Sequence, residues 1–412
     1  MSEQQPVEEN PAEENAVTDT EATAGSAGPE TPEAPAEPET PATPEVPRPT
    51  LVRRLLRSRT VRAATAAALA GVLLGAGTVA WRTDTLPLLG PSPCWDSLGS
   101  GSMKSLFGDR RTEVEEQSLH GDPMSQGGSY GQCRITGYEG DRARRQVTVD
   151  VRRLDGLRGT DSQDWPSEFL SSGMVPLGEG LPGMTSASRA WIALPQACTG
   201  RHDFTGPTVV DIGMGRADFE VSSEYTLRDR AALTGALIDA VNGVIKDFGC
   251  SGTYREPRDL PAPVEWDTTG TSDFCGIKGL TLPAAYRKDL RETRVSGEGG
   301  PARICEAGTD LDEKAIRLTT VTDPVLASIY SSDALHSGTP VKGTRGYGKA
   351  GGNRAVYRAV CQTGQVMFVL EQLRPAGPGT RFTFTHDLLP AYAAAEADRI
   401  GCGPQEVTFP TS

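Results

Sequence analysis

Hydrophobic and polar positions divide the chain into three regions. Residues 1–50 contain almost no large apolar side chains, and residues 63–81 contain no charged ones. Beyond residue 90, short segments alternate apolar and polar positions between turns rich in Gly and Pro, which is typical of antiparallel strands. The pattern predicts a disordered tail, one apolar helix and a folded α+β region.

The apolar segment at 63–81 predicts a single transmembrane helix, because nineteen residues at about 1.5 Å each span roughly the hydrocarbon layer of a membrane. The basic juxtamembrane segment 51–62 precedes it, with five arginines: Arg53, Arg54, Arg57, Arg59 and Arg62. Since cationic residues stay in the cytoplasm, we expect a signal-anchor in the cell membrane, with the N-terminus cytoplasmic and the C-terminus extracytoplasmic. A cleaved signal peptide, with Thr78-Val79-Ala80 as its cleavage site, is the alternative.

Small residues recur within the apolar segment. Ala67, Gly71 and Gly75 stand four apart, a spacing that lets two membrane helices approach closely. Self-association through these residues is therefore a candidate interaction, although an Ala- and Gly-rich segment also produces this spacing by chance.

The N-terminal tail is strongly acidic. Residues 1–50 hold twelve acidic side chains and one base, a net charge of −11. Such a segment cannot bury enough apolar surface to offset the entropy of ordering, so we expect a disordered, Pro-rich cytoplasmic tail. The chain carries −13 in all, and once the five arginines are counted the outer region carries −7. That balance argues against nucleic acid as a partner.

All eight cysteines follow the apolar segment. An even number confined to the predicted outer side favours an oxidising compartment and structural disulfides. No C-x-x-C occurs, so zinc ribbons and thioredoxin-like motifs lack their spacing. The cysteines are Cys94, Cys133, Cys198, Cys250, Cys275, Cys305, Cys361 and Cys402.

The cysteines fall into two groups of four within matching segments. Each group begins with a Cys before a helix-like stretch, continues with a Cys in a short apolar strand, and ends with a helix that runs into Gly-Cys. These features predict two tandem extracytoplasmic repeats, at 91–252 and 271–408, joined by a linker at 253–270. We expect each repeat to be a disulfide-stabilised domain with an antiparallel sheet and flanking helices.

Smaller features also correspond between the repeats. Strands alternate through Val147, Val149 and Val151 in the first repeat and through Ile316 and Leu318 in the second. Closing helices are predicted at 227–248 and 387–400, where Gly249 and Gly401 are suited to end them. Asp323 is a candidate N-cap, with Pro324 at the first helical position.

Disulfides confined to one repeat can pair in more than one way. We favour first with second and third with fourth, because this ties the early helix to the first strand and a middle strand to the closing helix. First with fourth and second with third is the main rival. The favoured pairs are Cys94–Cys133, Cys198–Cys250, Cys275–Cys305 and Cys361–Cys402.

Several of these features resemble a known group of proteins. An early Cys, the run Leu106-Phe107-Gly108, a second Cys opening a strand and a helix ending in Cys resemble actinobacterial cell-envelope domains of unknown function. These are often lipoproteins and look like relatives of the extracytoplasmic sensor domains of membrane serine/threonine kinases. The resemblance implies a small sheet with flanking helices, and binding or sensing rather than catalysis. The chain departs from the group in having two tandem copies and an apolar segment instead of a lipobox.

No catalytic, cofactor-binding or metal-ligating residues are predicted. The four histidines, His120, His202, His336 and His386, lie in no H-E-x-x-H motif, and no S-x-x-K occurs. The small acidic group of Asp310, Asp312 and Glu313 offers too few oxygens at the spacing that calcium requires.

A basic stretch stands out on the first predicted hairpin. Arg142, Arg144, Arg145, Arg152 and Arg153 could contact an anionic envelope polymer or lipid headgroups, or could face solvent beside balancing acids.

The function expected from these features is that of a single-pass membrane-anchored protein. Its two outer domains would bind or sense an unknown envelope protein, polymer or small ligand, without catalysis. An envelope hydrolase or transferase with an unrecognised site is the alternative, and a spacer or assembly factor without a small-molecule ligand is a third reading. A deep pocket with convergent polar groups and perturbed carboxylates would favour an enzyme.

Overall fold

The computed structural model describes residues 91–119, 129–154, 162–199, 206–215, 227–309, 313–377 and 383–410. The predicted tail, juxtamembrane segment and membrane helix (1–81) lie outside these residues, as do His120, His202 and the acidic pair Asp310 and Asp312. Within the described ranges, no helix is both long enough and apolar enough to cross a membrane.

The first half folds as an α+β unit with a seven-stranded antiparallel sheet, which we call the first sheet. Its elements are α1 (Pro93–Asp96), α2 (Ser100–Phe107), β1 (Arg111–Glu116), β2 (Ser129–Glu139), β3 (Arg142–Arg153), α3 (Asp164–Phe169), β4 (Val175–Pro176), β5 (Gly183–Thr185), β6 (Arg189–Ala193), α4 (Gln196–Thr199), β7 (Thr208–Gly215) and α5 (Leu227–Asp247).

The second half repeats this plan around a nine-stranded antiparallel sheet, the second sheet. Its elements are β8 (Asp267–Thr268), 3₁₀ turns at Phe274–Gly276 and Ala284–Tyr286, β9 (Glu292–Ser296), β10 (Ala302–Gly308), β11 (Lys314–Val321), α6 (Pro324–Ala327), a 3₁₀ turn at Ser328–Tyr330, α7 (Ser331–His336), β12 (Thr339–Gly343), β13 (Gly346–Ala350), β14 (Arg354–Cys361), β15 (Gly364–Gln372), α8 (Phe384–Arg399) and β16 (Val407–Thr408).

The two sheets share one topology. The first sheet has the order β1-β2-β3-β7-β6-β5-β4, and the second contains β9-β10-β11-β15-β14-β13-β12 in the same sequence of connections. The short strands β8 and β16 extend the second sheet at its two edges. A seven-strand order that recurs in chain order is the structural form of the repeat that the cysteine pattern predicted.

Each sheet carries its long closing helix on one face, here called the front face. Helix α5 packs on β6 and β7, and α8 packs on β14 and β15. The alternating Val147, Val149 and Val151 of β3 point to the front, because successive side chains of a strand point to opposite faces. They form a buried cluster with α5 side chains, including Leu237 and Val241.

The opposite, back faces of the two sheets meet in a shared apolar core. Helix α3 packs against β6 of the first sheet, whereas α6 and α7 pack against the second sheet. Between them lies a third buried cluster drawn from both halves, with Trp165 and Trp191 from one and Tyr330 and Met367 from the other. The described residues belong to one compact unit, so the two halves pack on each other across a common core.

Four disulfides pair all eight cysteines within their own halves. Cys94–Cys133 and Cys275–Cys305 join the start of each half to β2 or β10, with Cα–Cα distances of 5.3 and 5.8 Å. The other two bridges tie a segment near the end of β6 or β14 to the third residue after the closing helix, and these are Cys198–Cys250 and Cys361–Cys402. These are the pairs that the sequence favoured, and neither the rival pattern nor a bridge between the halves is present.

Both closing helices end in the same way. Gly249 and Gly401 adopt left-handed backbone angles, with φ of 65° and 70°. The N–H of the following cysteine, Cys250 or Cys402, then donates to the carbonyl oxygen five residues earlier, at 3.0 and 2.8 Å. This is the glycine-ended hydrogen-bond pattern that places each cysteine beside its disulfide partner.

A capping residue predicted from sequence is confirmed at α6. The Oδ1 atom of Asp323 accepts hydrogen bonds from the backbone N–H groups of Val325 and Leu326, at 2.9 and 2.8 Å. Pro324 occupies the first helical position, where its missing N–H costs nothing.

Candidate binding cleft

Strand register identifies which back-face positions of the first sheet correspond to which positions of the second sheet. Cys133 lies opposite Val149, and Cys305 lies opposite Leu318, so the two disulfide cysteines mark equivalent rows. One position before Cys133, a back-face row of the first sheet runs Gln132, Asp150, Asp211 and Trp191. The same row of the second sheet runs Ile304, Thr319, Val369 and Val356.

The difference between these rows opens a cleft in the first sheet. The apolar row of the second sheet belongs largely to the shared core. In the first sheet Gln132, Asp150 and Asp211 of this row lie at the floor of a cleft of about 380 Å³, bounded on one side by α3, whereas Trp191 is buried in the shared core. We call this the back-face cleft. Its lining is Gln132, Arg134, Gln146, Thr148, Asp150, Arg152, Asp164, Trp165, Glu168, Phe169, Arg189, Asp211, Gly213 and Gly215.

Two carboxylates meet a single guanidinium at the inner end of the cleft. Asp150 and Asp211 lie directly opposite each other on β3 and β7. Arg152 Nη2 lies 2.9 Å from Asp150 Oδ2, and its Nε lies 2.9 Å from Asp211 Oδ2. Gln132 donates to Asp150 at 2.8 Å, and the indole N–H of Trp165 donates to Asp211 at 3.1 Å.

Burial gives Asp211 an unusual proton affinity. Its side chain is only 2% exposed. Loss of hydration raises the pKa of Asp211 from 3.8 to about 7, outweighing the lowering by Arg152, and the neighbouring Asp150 raises it further. The inner end of the cleft therefore carries a carboxyl group that titrates near neutral pH.

The middle of the cleft floor is shaped by glycine. Gly213 and Gly215 line it on β7. A Cβ atom at Gly213 would sit 3.4 to 3.5 Å from the guanidinium of Arg189, which therefore lies directly over this glycine, whereas a Cβ at Gly215 would meet nothing within 4 Å. Thr148 and Gln146 on β3 contribute a hydroxyl and an amide to the same floor.

Arg189 is held in place by several acceptors. Its Nε lies 3.1 Å from Oε2 of Glu168 on α3. Its Nη1 donates to the carbonyl oxygens of Ser188 and Met214, each at 2.9 Å. Arg134 stands three strands away at the far side of the floor and makes a weaker, exposed pair with Glu115 at 3.3 Å.

In the second sheet, the row that corresponds to the one between Arg134 and Arg189 consists of charged residues that pair with one another. Where the first sheet has Arg134, Thr148, Gly213 and Arg189, the second has Glu306, Arg317, Glu371 and Arg354. These four alternate in sign across the strands. Their successive ion pairs measure 2.8, 3.7 and 2.6 Å.

Glu306 is the centre of this closed network. Its side chain is fully buried and also contacts Lys314, at 3.0 Å, and the Ser172 hydroxyl from the first half, at 2.5 Å. Burial alone would raise the pKa of Glu306. Arg317, Lys314 and the Ser172 hydroxyl together prevail and lower it to about 2.

The five arginines singled out in the sequence do not face one way. Arg145 donates to the Leu106 carbonyl on the front side and pairs with Asp229 at 3.1 Å. Arg152 points to the back face and completes the cleft, whereas its neighbour Arg153 points the other way, since strand side chains alternate. Arg144 lies 3.4 Å from Glu139. Arg142 is exposed at the start of β3.

Three tryptophans and one of the histidines make packing or stacking contacts. Trp165 and Trp191 are buried in the shared core, and Trp266 lies under the guanidinium of Arg294, 4.9 Å from its ring centre. His386 is exposed and stacks on the ring of Phe409. Among the described residues, no group of three or more His, Cys, Asp or Glu side chains is arranged to hold a metal ion.

A larger depression of about 700 Å³ lies between α2 and α5. Small side chains make up much of its lining, including Gly101, Ala232 and Gly235. The smaller back-face cleft is the stronger candidate, because convergent polar groups and a perturbed carboxyl mark functional sites better than volume does.

Comparison with known proteins gives no assignment: no family model, no curated protein and no solved structure matches the chain.

Proposed function

We propose that this protein is a membrane-anchored cell-envelope protein whose duplicated outer region binds or senses a ligand, and that the ligand occupies the back-face cleft. One observation carries the proposal. Two halves with the same topology and register differ at equivalent back-face rows, where one half is filled and the other is open and polar. The second half then serves mainly as the support on which the first half packs.

The location in the envelope is part of the proposal. The apolar segment 63–81 follows five arginines, and the folded region that comes after it contains four disulfides. Disulfides persist in oxidising compartments, which supports an extracytoplasmic position. The resemblance to actinobacterial envelope domains supports the same setting and a binding or sensing role.

A second candidate function, hydrolysis or group transfer, is favoured only by the raised pKa of Asp211 beside Asp150. Both carboxylates are already engaged, by Arg152, Gln132 and Trp165. A general acid must reach the group that it protonates. At 2% exposure the Asp211 side chain offers little contact to a substrate, so binding is the better-supported role.

Hydrogen exchange on the purified full chain tests the binding role. The probe is the soluble fragment mixture released by digesting the envelope of the cells that make the protein. We expect slower amide exchange in β7 and α3 when the fragments are added. Gly215→Phe should abolish this protection, because its side chain would enter the cleft without a backbone clash. Leu373→Phe, at the equivalent position beyond β15, should leave the protection unchanged. Protection confined to the second half, or none at all, would refute the proposal.

Thiol labelling tests the compartment. Intact cells are quenched with acid, and the chain is then denatured and treated with a maleimide mass tag. An extracytoplasmic region should show no reactive thiols without reductant and eight with it, since all eight cysteines are paired. Reactive thiols before reduction would place the folded region in the cytoplasm.

A further inference from the structure

Besides Arg152, four charged side chains at the back-face cleft are at least partly exposed, two of each sign. Arg134 and Arg189 stand at opposite ends of one row of the floor. Asp164 and Glu168 stand on the wall formed by α3. All four are more exposed than Asp150 and Asp211, so an entering ligand meets them first.

The inner charges do not change this balance. Arg152 contacts both Asp150 and Asp211, and Asp211 is held largely protonated below neutral pH. One guanidinium therefore faces about one negative charge. The cleft as a whole is close to neutral, so a ligand with a large net charge of either sign would meet as much repulsion as attraction.

The cationic side of the cleft has hydrogen-bond donors to spare. Nε and Nη1 of Arg189 are engaged, whereas its Nη2 has no hydrogen-bond partner within the described ranges. A guanidinium fixed by Glu168 and two carbonyl oxygens is already oriented, so less entropy is lost when it binds a carboxylate. Thr148 and Gln146 beside it likewise lack partners among the described side chains.

The acidic side has acceptors to spare. The carboxylate of Asp164 is exposed and has no ion pair or hydrogen bond with any described residue. It lies one helical turn before Glu168, which places their Cβ atoms about 6 Å apart. Since Glu168 contacts Arg189, the free carboxylate lies about one helical turn from the side chain that anchors the guanidinium.

We infer that the back-face cleft binds a short peptide of two or three residues with a free amino group and a free carboxylate. The peptide carboxylate pairs with Arg189, its ammonium group pairs with Asp164, and its backbone lies over Gly213 with Thr148 and Gln146 as hydrogen-bond partners. This inference rests on the proposed binding function and names its ligand class. A cleft of about 380 Å³ is within the range of small-ligand sites, which run from about 300 to 1,000 Å³.

Calorimetry with blocked peptides tests the inference. The probe is trialanine, titrated into the purified full chain. We expect trialanine to bind, and both N-acetyl-trialanine and trialanine amide to bind at least about tenfold more weakly, since each loses one charge-assisted contact. Succinate and maltose, which carry only negative charge or none, should not bind. Equal binding of the blocked peptides, or binding of maltose alone, would overturn the inference.

Substitutions distinguish a ligand contact from a structural role. Asp164→Asn should weaken trialanine binding about tenfold and leave the weak binding of N-acetyl-trialanine unchanged, because the acetylated peptide has no ammonium group to lose. Asp247→Asn, which removes an exposed charge from α5, is the control and should change neither affinity. Equal losses for both peptides in Asp164→Asn would contradict the assigned contact.

The hydrogen-exchange experiment separates the two levels of proposal. If envelope fragments protect β7 and α3 but no peptide binds, the cleft is a binding site and the peptide inference fails. If neither fragments nor peptides act on the cleft, the proposed function fails as well.

Discussion

The back faces of the two sheets manage charge in contrasting ways. In the second sheet Glu306, Arg317 and Glu371 alternate across neighbouring strands and pair directly, so that a fully buried carboxylate remains ionised. In the first sheet Arg134 and Arg189 occupy the ends of the equivalent row, and the positions between them hold Thr148 and Gly213. The comparison shows how a duplicated unit can diverge: one copy completes an internal network, while the other leaves groups available to a ligand.

The largest expected effect comes from interrupting the closed network. Glu306→Gln leaves Arg317 and Lys314 without their buried counter-charge, and breaking a buried ion pair in this way costs about 3–5 kcal/mol. Asp211→Asn should cost much less near neutral pH, because the native carboxyl is already partly protonated there. Urea unfolding of both variants measures the difference. Equal losses would show that the two carboxyl groups have similar surroundings after all.

Titration should separate the same two groups. The folded-state pKa of Asp211, about 7, lies above its ordinary value of 3.8, so the folded protein holds a proton that the unfolded chain has released. The free energy of unfolding contributed by Asp211 therefore falls as the pH rises from about 4 to about 7, by at most about 4 kcal/mol. Glu306 acts in the opposite sense, because its pKa of about 2 lies below 4.5. Its contribution is present above about pH 4.5 and is lost as the pH falls toward 2.

Unfolding measured across this pH range checks both signs. In Asp211→Asn the free energy of unfolding should decline less between pH 4 and 7, and its loss below about pH 4.5 should be unchanged. Asp247→Asn should leave the whole profile in place. If the free energy of unfolding still declines between pH 4 and 7 in Asp211→Asn, another titrating group is responsible for that decline.

Removing equivalent disulfides should destabilise the two halves to a similar extent. Replacing Cys94 and Cys133 by Ala removes a bridge that spans 39 residues, and replacing Cys275 and Cys305 removes one that spans 30. The loss of unfolded-state constraint depends only weakly on these lengths, so each double variant should lose a similar 2–4 kcal/mol. Thermal unfolding without reductant measures both. A much larger loss in one half would mean that its bridge also holds the native packing together.

Most strands and helix ends of the fold could be predicted from local sequence patterns, because these features depend on residues that are close together in the chain. The alternation at Val147–Val151 predicted a strand, Asp323 predicted a helix start, and Gly-Cys predicted both helix ends. The order of the cysteines predicted the repeat and favoured the pairs that the structure contains.

The candidate cleft could not be found in this way. Asp150 and Asp211 are 61 residues apart in the chain and become neighbours only because β3 pairs with β7. Which face each side chain occupies depends on register, so the sequence shows a basic stretch without showing that its members lie on both sides of β3. The shared core was equally hidden, since Trp165 and Met367 give no local signal that they lie in one cluster.

Transplanting the second sheet's network into the first should give the smallest change in stability and the sharpest change in function. Thr148→Arg with Gly213→Glu places the equivalents of Arg317 and Glu371 on adjacent strands, where they can pair across the cleft floor and where the new carboxylate lies under Arg189. Half-exposed ion pairs contribute about 0–1 kcal/mol, so the free energy of unfolding measured with urea should change by no more than that.

Ligand protection of β7 should disappear in the double variant, because the cleft is then filled as it is in the second sheet. Thr148→Arg alone adds an unpaired charge and should be the less stable of the two variants. If the double variant still shows ligand protection, the open row is not the feature that separates the two halves in function.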